Sequence, residues 1–329
     1  MIFNGVDFFP HGTQFPIIEW RRLFVSISVA LAVMSAVLLL TRGLNYGVDF
    51  KGGSLIEVKA KDQAGKPGKL DVVKLRETLN GLGLGEPQVQ ASGDAEALIR
   101  IAQQPGADFA AEAKAQDEAN KKVRAAVAAD YEVRRTEVVG SAVSQELKWT
   151  GLIAIIASIA GIMVYVWFRF EWQFAVAAII ALIHDVFITT GMFALLWYEF
   201  DLSVVAALLT LAGYSINDTV VIFDRVRENM RKYKKMPMDQ LLNLSLNETL
   251  SRTILTSVTT MLAVLALFIF GTSVIEAFTF AMLFGIIIGS YSTLFVACPI
   301  LLWLGVDRAS IIGEPKADGT GTAAKAGLP

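Results

Sequence analysis

The chain has 329 residues, of which 54% are hydrophobic and 18% charged, with a mean hydropathy of +0.52 and a formal net charge of −2. Soluble domains usually carry about 25% charged residues, so the composition argues against a soluble globular protein. With 26 Gly, 9 Pro and 1 Cys in an aliphatic-rich chain, collagen-like, disordered and disulfide-stapled classes fail as well. The lone Cys298, in an apolar run before Pro299, reads as a small packing residue.

Six apolar runs are long enough to cross a bilayer, which takes about 20 residues: 23–40, 149–168, 174–197, 202–223, 253–270 and 278–304. Helices satisfy their own backbone in lipid, so the expected fold is a polytopic α-helical membrane protein with six transmembrane helices. The first run reads as a retained helix, because TRGLNYG after it lacks the small-residue site of a cleaved signal peptide. Short loops set orientation. Arg21 and Arg22 precede the first run, and Arg169 lies between the second and third. Arg225, Arg227, Arg231, Lys232, Lys234, Lys235 and Arg252 crowd between the fourth and fifth. The opposite loops, 198–201 and 271–276, hold no Lys or Arg. Both termini are therefore expected in the cytoplasm, as segments 1–22 and 305–329 flanking the helix 23–40 and the five-helix bundle 149–304. The Gly/Ala/Lys-rich stretch 311–329 reads as disordered.

The insert 41–148 faces outward and, at 108 residues, is large enough for one small domain. Residues 53–61 alternate as a strand, and Val72, Leu75, Leu79 and Leu82 share one helical face. Residues 87–91 and 97–102 read as strands, 108–130 as an Asp108-capped helix, and 131–139 as a last strand. The order β-α-β-β-α-β predicts a periplasmic, ferredoxin-like α+β domain. It has no His, no Cys and no phosphate-cradling loop, which suits a binding or lever module.

Ionisable groups inside a span cost about 2.5–3.5 kcal/mol, so each is a functional candidate. His184 and Asp185 lie in the third run, Asp185 roughly 17 Å from either end at 1.5 Å per residue. Asp218 lies in the fourth run with Tyr214, Ser215 and Asn217. Arg252 opens the fifth, above a stripe of Thr253, Thr256, Ser257 and Thr260. Antiparallel packing would bring Asp218 toward Arg252, either as a static ion pair or as a site that loads and releases a proton. His184 fits packing or proton relay equally, and the Ser/Thr stripe suits interhelical contact or an ion ladder. Gly285 and Gly289 permit close helix contact, within the bundle or with another subunit. Pro299 is expected to bend the last helix. No metal-ligand cluster, Walker loop or nucleophilic triad is present, so neither cofactor nor enzymatic activity is expected.

Several stretches carry a family likeness. GLNYGVDFKGG at 43–53 resembles the signature of the SecD/SecF family. GYSINDTVV at 213–221, FDRVREN at 223–229 and NETLSRT at 247–253 resemble its SecF-type members, and the likeness covers nearly the whole chain. The resemblance implies pairing with SecD, whose matching six spans complete a twelve-helix, RND-superfamily-like unit in the bacterial inner membrane. It further implies association with the SecYEG channel and use of the proton-motive force to complete export of unfolded preproteins. The family's proton-coupling residues fall on Asp218 and Arg252, while His184 and Asp185 match a polar pair of less defined role. Asp49, Gly52 and Gly53 are expected to shape the hinge between membrane and outer domain. Two rivals are a non-conducting scaffold of the translocon and an RND-type exporter of small molecules; a compact insert leaves the latter little room for a pocket.

Overall fold

The structure, a computed structural model, describes residues 14–62, 68–85 and 87–306. Residues 1–13 of the expected N-terminal segment and the whole of 311–329 lie outside the described residues. The chain opens with α1 (Arg21–Thr41), followed by a junction made of β1 (Asn45–Tyr46) and the single-turn α2 (Val48–Lys51). A small α+β domain comes next: β2 (Gly53–Ala60), α3 (Val72–Asn80), β3 (Gln88–Ala91), β4 (Glu96–Ala102), α4 (Phe109–Val127) and β5 (Tyr131–Val139). Then come α5 (Ser141–Arg169), α6 (Trp172–Leu196), β6 (Glu199–Phe200), α7 (Leu202–Lys232), α8 (Met238–Phe270) and α9 (Glu276–Ser292). A π turn (Thr293–Ala297) joins α9 to α10 (Cys298–Leu304).

The domain sheet has the order β3-β4-β2-β5 with every neighbouring pair antiparallel, the ferredoxin-like arrangement. Strand alternation builds it. Ile56 and Val58 of β2 and Ala97, Ile99 and Ile101 of β4 turn to one face, where Leu75 and Leu79 of α3 and Val123 and Val127 of α4 cover them. Both helices start at aspartate caps: Asp71 accepts the Lys74 N–H at 3.0 Å, and Asp108 that of Ala111 at 2.8 Å. Arg100 sits between Ile99 and Ile101 and so points to the other face of the sheet.

Among the described residues, six helices are long and apolar enough to cross a membrane. Those that bury most are α6, α7 and the α9–α10 span, packed through Phe174, Ala177 and Ala181, through Leu208 and Leu211, and through Ile286 and Leu301. In contrast, α1, α5 and α8 leave Val29, Val33, Ile153, Ile156, Leu255 and Leu262 exposed, as lipid-facing or partner-facing helices do. Most helices overrun the apolar runs: α5 begins at Ser141, α7 continues to Lys232 and α8 starts at Met238. Apolarity marks the stretch that must sit in hydrocarbon, whereas the backbone ladder continues until a cap or turn stops it. At Pro299 the ring would collide with the carbonyl four residues back, and the widened π turn just before it relieves that clash.

Gly52 and Gly53 hold φ of 75° and 117°, values a side chain rarely tolerates. A Cβ on Gly53 would run into the Ile101 carbonyl of β4, and one on Gly52 would meet Gln103 Oε1 at 3.1 Å and the Val139 carbonyl at 3.3 Å. Both glycines are buried. The pair is thus a close-packed elbow at the start of β2; what glycine supplies here is a backbone conformation and a close approach, not looseness.

Candidate functional site

Two intramembrane carboxylates face different sides of α7. Asp185 on α6 is fully buried and accepts hydrogen bonds from Ser215 Oγ on α7 at 2.7 Å and Ser292 Oγ on α9 at 2.8 Å. His184 Nδ1 lies 3.0 Å from its other oxygen. The three helices can close on this group because Gly289 is small: a Cβ there would stand 3.3 Å from Ser215 and 3.6 Å from Asp185 Oδ2. One turn away, Gly285 receives the Leu211 side chain in the same manner. Both glycines therefore serve contact inside the bundle. His184 stacks on Tyr291, whose hydroxyl donates to the Phe24 carbonyl at 2.6 Å and lies 2.9 Å from Ser28 Oγ. The polar centre thereby reaches α1. Buried His184 Nε2 and Thr189 Oγ1 have no hydrogen-bond partner among the described residues.

Asp218 is also buried, at 4% exposure, but far less well served. Its hydrogen-bond partner is Thr256 Oγ1 on α8, at a long 3.4 Å. Arg252 is near enough to act on it through space, yet makes no ion pair with it and is itself exposed. Packing thus places Asp218 beside Arg252 without the direct salt bridge that the antiparallel helices permit. An ionised carboxylate has room for about four accepted hydrogen bonds, so Asp218 and Asp185 stand in opposite states of satisfaction. Along the rest of the stripe, Ser257 Oγ lies 2.7 Å from Ser290 Oγ of α9, and Tyr214 of α7 donates to Ser257 at 3.4 Å. The stripe's hydroxyls tie α7, α8 and α9 together.

At the far end of α7 the glycine-rich run 43–53 is docked onto the α6–α7 turn. β1 pairs with β6 in parallel, and the Gly47 N–H donates to the Phe200 carbonyl at 3.0 Å. Asp49 accepts the Leu202 N–H at 2.9 Å, while Asp201 caps the same helix through Val204 N–H at 3.0 Å and Ser203 Oγ at 2.6 Å. Two carboxylates thus hold the positive end of α7. The α+β domain meets them from above: Arg100 forms an ion pair with Glu199, both largely buried. Burial lowers the Arg100 pKa to about 10, against the pull of Asp201. Sequence reading singled out Asp49 and missed Arg100, Glu199, Asp201 and Tyr291.

Asp201 carries a pH signature. Burial, reinforced by the Asp49 charge, raises its pKa above the ordinary 3.8, with the capping bonds opposing. A folded pKa above the unfolded one means the native state binds more protons in the interval between them. The stabilisation is therefore complete below 3.8 and is lost as pH rises through the folded value. Thermal unfolding in detergent should show the chain growing more stable as pH falls through that interval. Asp201→Asn, which keeps a capping side chain, should flatten the dependence; an unchanged slope would exclude Asp201 as its source.

Comparison with known proteins settles the family. The profile described as "Protein export membrane protein SecD/SecF, C-terminal" matches residues 119–307, and the "SecD/SecF GG Motif" matches 37–64. The chain belongs to the SecD/SecF family. It is 43% identical over 310 residues to a protein translocase subunit SecF of Rhodobacter capsulatus, covering 91% of both chains. With the SecF of Cereibacter sphaeroides it shares 45% identity over 300 residues, 88% of both. The crystal structure of SecDF from Thermus thermophilus, a translocon-associated membrane protein, matches at a TM-score of 0.78 and 34% identity. That match covers 89% of this chain and 39% of the longer SecDF chain. In this SecD/SecF member the GG motif is thus the packed elbow and α7 dock described above.

Proposed function

We propose that this chain is a non-enzymatic subunit that couples the proton-motive force to preprotein translocation together with SecD and the SecYEG channel. The family is one of protein export membrane proteins, and the relatives are named protein translocase subunits. In SecDF of Brucella abortus the matching region is 38% of a longer chain, which supports a SecD-type partner for the half in hand. The exposed face of α8, carrying Arg252 and Thr259 among Leu255 and Leu262, is too polar for lipid alone and suits such a partner. The Lys/Arg distribution supports an inner-membrane topology with both termini cytoplasmic and 41–148 periplasmic.

The observation that carries this reading is Asp218: a carboxylate buried in a span, held by one long hydrogen bond, with Arg252, which makes no ion pair among the described residues, close by. Protonation removes a charge that the site does little to hold. The response is a shift of α7 against α8. Asp218 stands sixteen residues along α7 from Leu202, roughly 24 Å at 1.5 Å per residue. A rigid helix passes movement over that distance to Asp49, Asp201 and the Glu199–Arg100 pair. The α+β domain then moves as a lever on emerging polypeptide. A SecDF structure described as a super-membrane-facing form matches this chain at a lower TM-score of 0.64, with unchanged identity and coverage. That difference supports a matching region able to adopt more than one arrangement.

The test is preprotein export into vesicles holding this chain, SecD and the channel, with the proton and sodium gradients collapsed separately. Collapsing the proton gradient should remove the gradient-dependent part of export, and collapsing sodium should leave it. Export indifferent to both would favour a scaffold that conducts nothing.

A further inference from the structure

At the Arg-rich end of the bundle, opposite the α+β domain, a cleft of about 450 Å³ opens between the α5–α6 turn and the last turns of α7. Arg169, Arg227, Arg231 and Lys232 line it, with Asp224 and Glu228. The two acids are already committed. Asp224 takes Arg169 through both oxygens, at 2.8 and 3.1 Å, and Glu228 pairs with Arg225 at 2.6 Å. Arg227 is engaged too, paired with Glu171 at 3.5 Å, and its buried Nε has no partner among the described residues. Two cations remain. Arg231 and Lys232 are exposed and make no ion pair among the described residues.

The cleft is built rather than floppy. The guanidinium carbons of Arg169 and Arg227 lie 5.1 and 5.3 Å from the centroid of the buried Phe170 ring. Arg227 Nη1 also donates to the Arg169 carbonyl at 3.1 Å. Its depth is marked by aromatics: Trp167 and Phe168 just before Arg169, and Trp172 just after, are 63%, 88% and 54% exposed. Exposed tryptophans at helix ends sit at the headgroup level of a bilayer. Two exposed cations without an ion-pair partner among the described residues, Arg231 and Lys232, thus stand at the end of the bundle that these aromatics mark.

We propose that this cleft binds the phosphate headgroup of an anionic phospholipid, with Arg231 and Lys232 as the principal contacts and Arg227 forming the wall beside them. Arg231 and Lys232 supply the net charge that a zwitterionic headgroup would not repay, and Arg227, held by Glu171, the Phe170 ring and the Arg169 carbonyl, fixes the wall beside them. The site is independent of Asp218, so its failure would leave the proton-coupling reading untouched.

Native mass spectrometry of the full chain in detergent, titrated with phosphatidylglycerol or phosphatidylcholine, tests it. Phosphatidylglycerol should be retained and phosphatidylcholine not, and inorganic phosphate at equal concentration should not displace the lipid. Arg231→Gln and Lys232→Gln, both on exposed residues, should each weaken retention about fivefold, while Arg22→Gln on α1 should leave it unchanged. Equal retention of phosphatidylcholine, or wild-type retention by Arg231→Gln, would overturn the proposal. Displacement by inorganic phosphate would assign the cleft to a free anion, and displacement by an acidic peptide to a protein partner; either result would also overturn it.

Discussion

Asp218→Asn is expected to leave the chain folded and assembled while abolishing the gradient-dependent part of export. The amide has nearly the shape of the carboxylic acid, and its oxygen still accepts the Thr256 hydroxyl that now stands at 3.4 Å. Folding cost is therefore small, since nothing buried loses its partner. Function is another matter. A charge moved through 100 mV is worth about 2.3 kcal/mol, and an asparagine can neither take up nor give back the proton that carries it. Export measured in vesicles with an imposed proton gradient should fall to the level seen with the gradient collapsed. Thermal unfolding and co-purification with SecD should match the parent chain. Full gradient-driven export by this variant would remove Asp218 from the mechanism. Asp185 would then be the remaining intramembrane carboxylate to consider, although its three hydrogen-bonding neighbours give it the look of a structural clamp.

That contrast between the two aspartates was only half legible in the sequence. Both stand out as ionisable residues in apolar runs, and their depth follows from counting residues. Their surroundings do not. Ser215 and Ser292 meet at Asp185 because α7 and α9 cross α6 there, and nothing in the spacing of either helix says so. The six helices and the β-α-β-β-α-β order were legible for the opposite reason: each depends on a local period, whether a long apolar run or the alternation of Ile56 and Val58 with polar neighbours. Elements without a period escaped. β1 and β6 are two residues each and exist only because distant segments meet. The π turn is an answer to Pro299 that has no pattern of its own. Arg100 reads as a solvent-facing position on an alternating strand, and its partner Glu199 lies beyond three further helices. Gly52 and Gly53 were visible as a pair, but flexibility and tight packing favour the same residue. The positive φ angles and the neighbouring carbonyls decide between them.

Under the proposed coupling, Arg100→Glu should uncouple the α+β domain from the membrane bundle. The Arg100–Glu199 pair joins the domain sheet to the α6–α7 turn, with side chains only 11% and 15% exposed. Removing one member of a buried pair costs about 3–5 kcal/mol, because the other charge is left unpaired. Here the new carboxylate would also confront Glu199 with Asp201 and Asp49 nearby, so undocking is the cheaper outcome. The sheet itself should survive, because Arg100 points away from the face that carries Ile99 and Ile101. Gradient-driven export should then be lost although Asp218 is intact. The reciprocal variant, Arg100→Glu with Glu199→Arg, restores opposite charges across the same gap and should recover a large part of it. Recovery is the informative readout: a merely misfolded domain would not be rescued by a change on the membrane bundle. Export at the parent level by Arg100→Glu alone would show that movement of α7 reaches the domain by another route, through β1–β6 or the Gly52–Gly53 elbow, whose backbone contacts do not depend on this charge.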